Sequence, residues 1–118
     1  MVQRVQAYLR PLRRRFGLTQ RELAFLIGAK SGAVISRIER LKLEPSLART
    51  HAFALLFDTR APELFPELFA NVRDAVHWRA RELYDELQGN PSRATRAKLD
   101  FLEEVLERLE KQADDTDL

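Results

Sequence analysis

Gly17-Leu18-Thr19-Gln20-Arg21-Glu22-Leu23-Ala24-Phe25-Leu26-Ile27-Gly28, followed by Ala29-Lys30-Ser31-Gly32-Ala33-Val34-Ile35-Ser36-Arg37-Ile38-Glu39-Arg40, is the stretch that decides the fold. Thr19-Gln20-Arg21-Glu22 is a capping box: the Thr19 hydroxyl can accept from the Glu22 amide while the Glu22 carboxylate accepts from the Thr19 amide. Leu23, Leu26 and Ile27 then make the buried stripe of a short helix, with small Ala24 alongside, and Gly28 ends it. A further helix is predicted from near Ser31 to about Arg40. At about 100° per residue, Val34, Ile35, Ile38 and Leu41 fall within an arc of about 120°, the inward face. The opposite face carries Gly32, Ala33, Ser36, Arg37 and Arg40: small residues that allow close approach to another surface, and two guanidinium forks suited to guanine edges or phosphates.

Working outward, Val5, Leu9, Leu12 and Phe16 recur at helical spacing and predict a first helix over residues 3–16, with Pro11 either kinking it or marking its true start. Gly17 suits its left-handed end. Ser46 is a good N-cap for a fourth helix, and Pro62 fits the first turn of a short fifth one containing Leu64 and Phe65. Past Pro66 the pattern changes. Val72, Val76, Ala80, Leu83 and Leu87 form one stripe of a long helix, Gly89-Asn90-Pro91-Ser92 is a turn, and Leu99, Leu102, Leu106 and Leu109 form a narrow seam, widened by Val105 and Phe101, on a second. No segment alternates with period two. The fold class is therefore all-α: a five-helix N-terminal domain over residues 1–66, then a helical hairpin with an acidic tail over 67–118, fraying from Ala113 onward.

Charge divides along the same line. Residues 1–60 carry 12 Lys+Arg and 4 Asp+Glu (+8), residues 61–118 carry 8 and 14 (−6), and the two sum to the net +2. A basic half joined to an acidic half points to a polyanion-binding part and a part with another task. The chain has no cysteine, so disulfides and thiolate metal sites are excluded. No apolar run approaches the roughly 18 residues of a membrane span, and the N-terminus lacks a signal-peptide stretch, so the cytoplasm is the expected compartment. No G-x-S-x-G, P-loop or H-E-x-x-H occurs, and an enzyme is not expected. His51 and His77 each stand without a second ligand at helical spacing, so no metal, cofactor or small-molecule ligand is implied.

The run from Gly17 to Ala24, then Ile27-Gly28, Ile35-Ser36-Arg37-Ile38-Glu39-Arg40, Glu44-Pro45-Ser46-Leu47 and Pro62-Glu63-Leu64-Phe65, resembles the XRE-type (lambda-repressor-like) helix-turn-helix family over residues 8–65. The resemblance implies double-stranded DNA as partner, with helix 3 in the major groove. It implies a phosphate contact by Gln20 at the start of helix 2 and entry of residues 31–37 into the major groove, with Ser31, Gly32, Ala33, Ser36 and Arg37 as contacts, Arg37 foremost for base edges, and Lys30 as a further DNA-binding residue. Arg40 and Lys42 are implied as backbone contacts, and Arg13–Glu39 as an ion pair bridging helix 1 to helix 3. Two departures stand out. Six residues rather than the usual five separate Gly28 from Ile35, which lengthens the turn, and Leu41 takes the place of a customary glycine after helix 3, where a left-handed leucine is costly, so helix 3 is expected to run on or end differently.

The implied function is a sequence-specific transcription regulator, acting as a repressor on a palindromic site as a homodimer, with Leu99, Leu102, Leu106 and Leu109 at the subunit interface. The same seam could instead fold back on its own chain. The alternative is a helical protein-interaction adaptor or antitoxin-like subunit working through its acidic half. Arg10, Arg14 and Arg15 suit either phosphate contact or a solvated face. Trp78 and Tyr84 are expected as core or subunit-contact aromatics, and Glu103, Glu104, Glu107 and Glu110 as the solvated face of the last helix.

Overall fold

The computed structural model describes residues 7–90 and 92–116. Among them the chain is all-helical: α1 Leu9–Arg15, α2 Gln20–Leu26, α3 Gly32–Glu39, α4 Leu47–Phe57, α5 Ala61–Leu64, α6 Pro66–Leu87 and α7 Arg93–Thr116. It divides into two compact units with the boundary between Phe69 and Ala70, inside α6 rather than ahead of it. The reason is Leu68, whose side chain still belongs to the first hydrophobic core.

Helix α1 begins at Leu9, so Pro11 lies in its first turn, where a missing amide proton leaves no helical bond unmade. Ala7 and Tyr8 precede the helix, and the Tyr8 amide donates to the Leu64 carbonyl (2.8 Å), tying the chain to the end of α5. The part of the expected first helix at residues 3–6, with Val5, lies outside the described residues.

Three successive helices end the same way. After α1, α2 and α3 the residues Gly17, Gly28 and Leu41 take positive φ (72°, 74° and 53°). In each case the next amide reaches back five residues: Leu18 to the Arg13 carbonyl, Ala29 to Ala24 and Lys42 to Arg37. These are Schellman closures, and two use glycine as the sequence leads one to expect. The third forces a leucine into the left-handed region, at about 1–2 kcal/mol. The Leu41 side chain offsets this by packing on the first core, which an unbranched glycine could not do.

At the other end of α2 the capping box is complete, with Glu22 N–H to Thr19 Oγ1 at 3.0 Å and Thr19 N–H to Glu22 Oε1 at 2.9 Å. The Thr19 amide first, and its hydroxyl second, hold the Glu22 carboxyl below its ordinary pKa. A carboxyl lowered in the folded state contributes stability above its unfolded pKa and loses it as pH falls through the folded value. Thr19→Ala is expected to cost about 1 kcal/mol in denaturant unfolding at neutral pH. Glu22→Gln should flatten the loss of stability between about pH 5 and about pH 3; an unchanged acid limb would show that the carboxylate contributes nothing.

The first core consists of Leu9, Leu23, Ala24, Ile35, Ile38, Phe53, Leu64 and Phe65, all but inaccessible, with the Phe53 and Phe65 rings tilted at a centroid distance of 6.3 Å. Two residues expected inside are outside: Leu26 and Phe16 are exposed. Leu26 sits at the edge of its helix's apolar arc, and Phe16, the residue that follows the last turn of α1, stacks on Phe57 (6.0 Å) at the surface instead of entering the core.

In the second unit Ala80, Leu102 and Leu106 form the core, with Tyr84, Leu87 and Val105 against it. Leu102 and Leu106 are thus buried within their own chain, while Leu99 and Leu109 are half-buried. The two central leucines of the seam are thus covered by α6 of their own chain, the arrangement in which the seam folds back. Trp78 is exposed rather than core. Tyr84 donates to Glu103 (2.8 Å), which raises the phenol's pKa, and Glu110 accepts from Arg81 (3.2 Å) beside His77, so two of the four glutamates expected to be merely solvated cross to α6. The acidic stretch from Ala113 to Thr116 continues α7 rather than fraying, since no glycine or proline follows Pro91 to stop it; Asp117 and Leu118 lie outside the described residues.

Candidate nucleic-acid interface

Helix α3 is pinned from one side. Ile35 and Ile38 are fully buried, and the flank toward α2 holds Gly32 and Glu39. What remains exposed is Ala33, Arg37 and Arg40, with Ser36 half-exposed between them, preceded by exposed Lys30 and Ser31 and followed by exposed Lys42. Ser31 is the N-cap, yet its hydroxyl makes no capping bond. The Arg40 guanidinium lies back along the helix, its Nε 3.4 Å from the Ser36 carbonyl. The outward face therefore carries small neutral side chains and cations only.

The one acid of α3 is removed from that face. Glu39 has 2% of its side chain exposed, and Arg13, 10% exposed, places Nε 2.7 Å from Oε2 and Nη2 3.4 Å from Oε1. Arg13 Nη1 also donates to the Leu18 carbonyl (2.8 Å). Gln20 completes the arrangement, its Nε2 donating to Glu39 Oε1 at 3.0 Å. Helices α1, α2 and α3 are thus tied at one carboxylate. A buried carboxylate that accepts three hydrogen bonds, two of them from a cation, leaves little negative potential to repel phosphates. Sequence reasoning paired Arg13 with Glu39 but did not see that Gln20 joins them; the signal was available in the first turn of α2 lying against the last turn of α3.

Gly32 is a second tertiary finding. A Cβ there would lie 3.1 Å from the Arg21 amide nitrogen and 3.3 Å from Gln20, so its missing side chain lets α3 approach the α2 backbone, not a ligand. The longer turn leaves a hollow of about 290 Å³ lined by Arg21, Phe25, Lys30 and Ser31 among others. Gly32→Ala is expected to destabilise by about 1 kcal/mol, crowding outweighing the helix-propensity gain. Unfolding in urea checks it; a stabilised variant would mean the helices separate freely.

Arg10, Arg14 and Arg15 are exposed on α1, with the Arg15 guanidinium 5.8 Å from the Phe16 ring centroid. Among the described residues no three His, Asp or Glu side chains converge as a metal site, and no helix is long and apolar enough to cross a membrane.

Comparison with known proteins gives one match: the sequence model described as helix-turn-helix covers residues 9–64. No curated protein and no solved structure matches the chain.

Proposed function

We propose, from the premise that residues 9–64 place this chain in the XRE-type helix-turn-helix family of DNA-binding regulators, that it is a sequence-specific transcription regulator acting in the cytoplasm as a repressor, two copies docking α3 in successive major grooves of a palindromic site. The observation that carries this reading is the exposed face of α3: Ala33, Ser36, Arg37 and Arg40, flanked by Lys30 and Lys42, free of any unpaired acid because Glu39 is buried against Arg13. Small residues let the helix enter a groove, and the forked Arg37 reads a base edge. Gln20, held by Glu39, has a second amide hydrogen left to donate to a phosphate of the DNA backbone, where it positions the domain.

Two subunits follow from the arithmetic of recognition. One helix reads few base pairs, and a two-fold pair reads two half-sites about one helical turn apart. The acidic second unit stays off the phosphates.

Salt dependence tests the electrostatic part. With Lys30, Arg40 and Lys42 on phosphates in each of two subunits, the slope of log K against log salt is expected near about −5. A slope near zero would reject phosphate binding and favour the adaptor reading, in which the acidic half is the working surface.

A further inference from the structure

We propose that the flank of the helical hairpin bearing Leu83 and Phe101 docks a second copy of this chain, α6 against α6 in antiparallel, with Arg79 of each copy beside Glu86 of the other. This rests on the two-subunit reading above and specifies the surface that reading needs.

The hairpin has two unlike flanks. Taking Ala80 as the inward direction of α6, Tyr84 and His77 lie to one side of it and Val76 and Leu83 to the other. On α7, with Leu102 inward, Glu103 and Glu110 lie to one side and Val105 and Phe101 to the other. The bonds Tyr84–Glu103 and His77–Glu110 join the first pair of sides, so that flank is closed by polar contacts. They also fix the register: α6 and α7 run antiparallel with Tyr84 beside Glu103, which sets Phe101 at the level of Glu86, within a turn of Leu83. On the second flank Val76 (44%), Leu83 (44%) and Phe101 (60%) stand exposed. Trp78 is exposed as well, but on the outer face among Asp74, Arg81, Glu82 and Asp85, where no second large exposed apolar side chain of the described residues joins it.

The charges on this flank select the occupant. Arg79 stands about one helical turn before Leu83 and Glu86 about one turn after it, both exposed. Among the described residues neither forms an ion pair or side-chain hydrogen bond. A two-fold axis through Leu83 brings Leu83 onto its own copy and sets Arg79 opposite Glu86 twice, a self-complementary patch of the kind an isologous dimer uses. Parallel pairing would set Arg79 against Arg79 and Glu86 against Glu86, which like-charge repulsion disfavours.

Sedimentation equilibrium of the full chain tests it. The unaltered protein should be a dimer. Arg79→Glu and Glu86→Arg should each raise the dimer dissociation constant at least about tenfold, and the double exchange Arg79→Glu/Glu86→Arg should restore it to within about threefold. Leu83→Asn should give monomer with unchanged helical circular dichroism, since the side chain leaves no core position. A monomeric unaltered protein, or single exchanges that leave the mass unaffected, would overturn the proposal. Binding of the same variants to random duplex at low salt reads the helix-turn-helix separately: a protein that binds DNA but ignores the exchanges sinks the interface alone, and one that follows the exchange pattern without binding DNA sinks the DNA reading alone.

Discussion

Arg13→Met is expected to destabilise the protein by about 3–5 kcal/mol, because it leaves a buried carboxylate without its cation. Glu39 has 2% of its side chain in contact with solvent, and Arg13 supplies two of the three donors it accepts from, at 2.7 and 3.4 Å. The methionine keeps the aliphatic stem, so the loss reports the charge and its hydrogen bonds rather than a cavity. The Leu18 carbonyl loses its donor at the same time. Gln20 alone then faces Glu39, and one neutral amide does not replace a guanidinium. Arg13→Met/Glu39→Leu, which removes both charges, should recover most of the loss, since a buried ion pair exchanged for apolar groups of similar volume is often close to neutral. Urea unfolding of the two variants checks both figures. A single-variant loss below about 1 kcal/mol would show that Glu39 finds water or another donor.

Arg37→Ala is expected to weaken binding to the specific site by about 1–3 kcal/mol, roughly 5- to 150-fold, with little change on random duplex. Arg37 is exposed on the outward face, and its backbone carbonyl, which accepts from the Lys42 and Leu43 amides, is untouched by the substitution. Stability should therefore hold while base discrimination falls. Lys42→Ala serves as the contrast, lowering both affinities together because a phosphate contact carries no sequence information. Competition binding with specific and random duplexes measures the two. Equal losses for Arg37→Ala would reassign it to the backbone.

What was legible in the sequence was local. The capping box needs only Thr19 and Glu22 three residues apart, and Gly17 and Gly28 mark turns that other residues reach at a penalty. Leu41 was readable as a departure but not in its resolution, since whether a leucine tolerates a left-handed turn depends on the core it packs against. Gly32 looked like an open approach to a ligand and is instead an approach to Gln20 and Arg21, a contact between helices that periodicity alone does not contain. The same holds for the seam of α7. Its spacing shows which face is apolar, and only the fold shows that α6 covers Leu102 and Leu106 while Phe101, one residue away, stays exposed. Leu26 shares that cause, an apolar residue at the edge of an arc that the fold leaves exposed, while Phe16 finds Phe57 at the surface rather than a place in the core.

The measurement that tests the central claim most directly is selection of bound sequences from a random duplex DNA pool at near-physiological salt. The account predicts enrichment of a convergent, two-fold-symmetric motif with half-sites about one helical turn apart, relaxed at one base pair in each half-site by Arg37→Ala. A folded protein that enriches no sequence would contradict it.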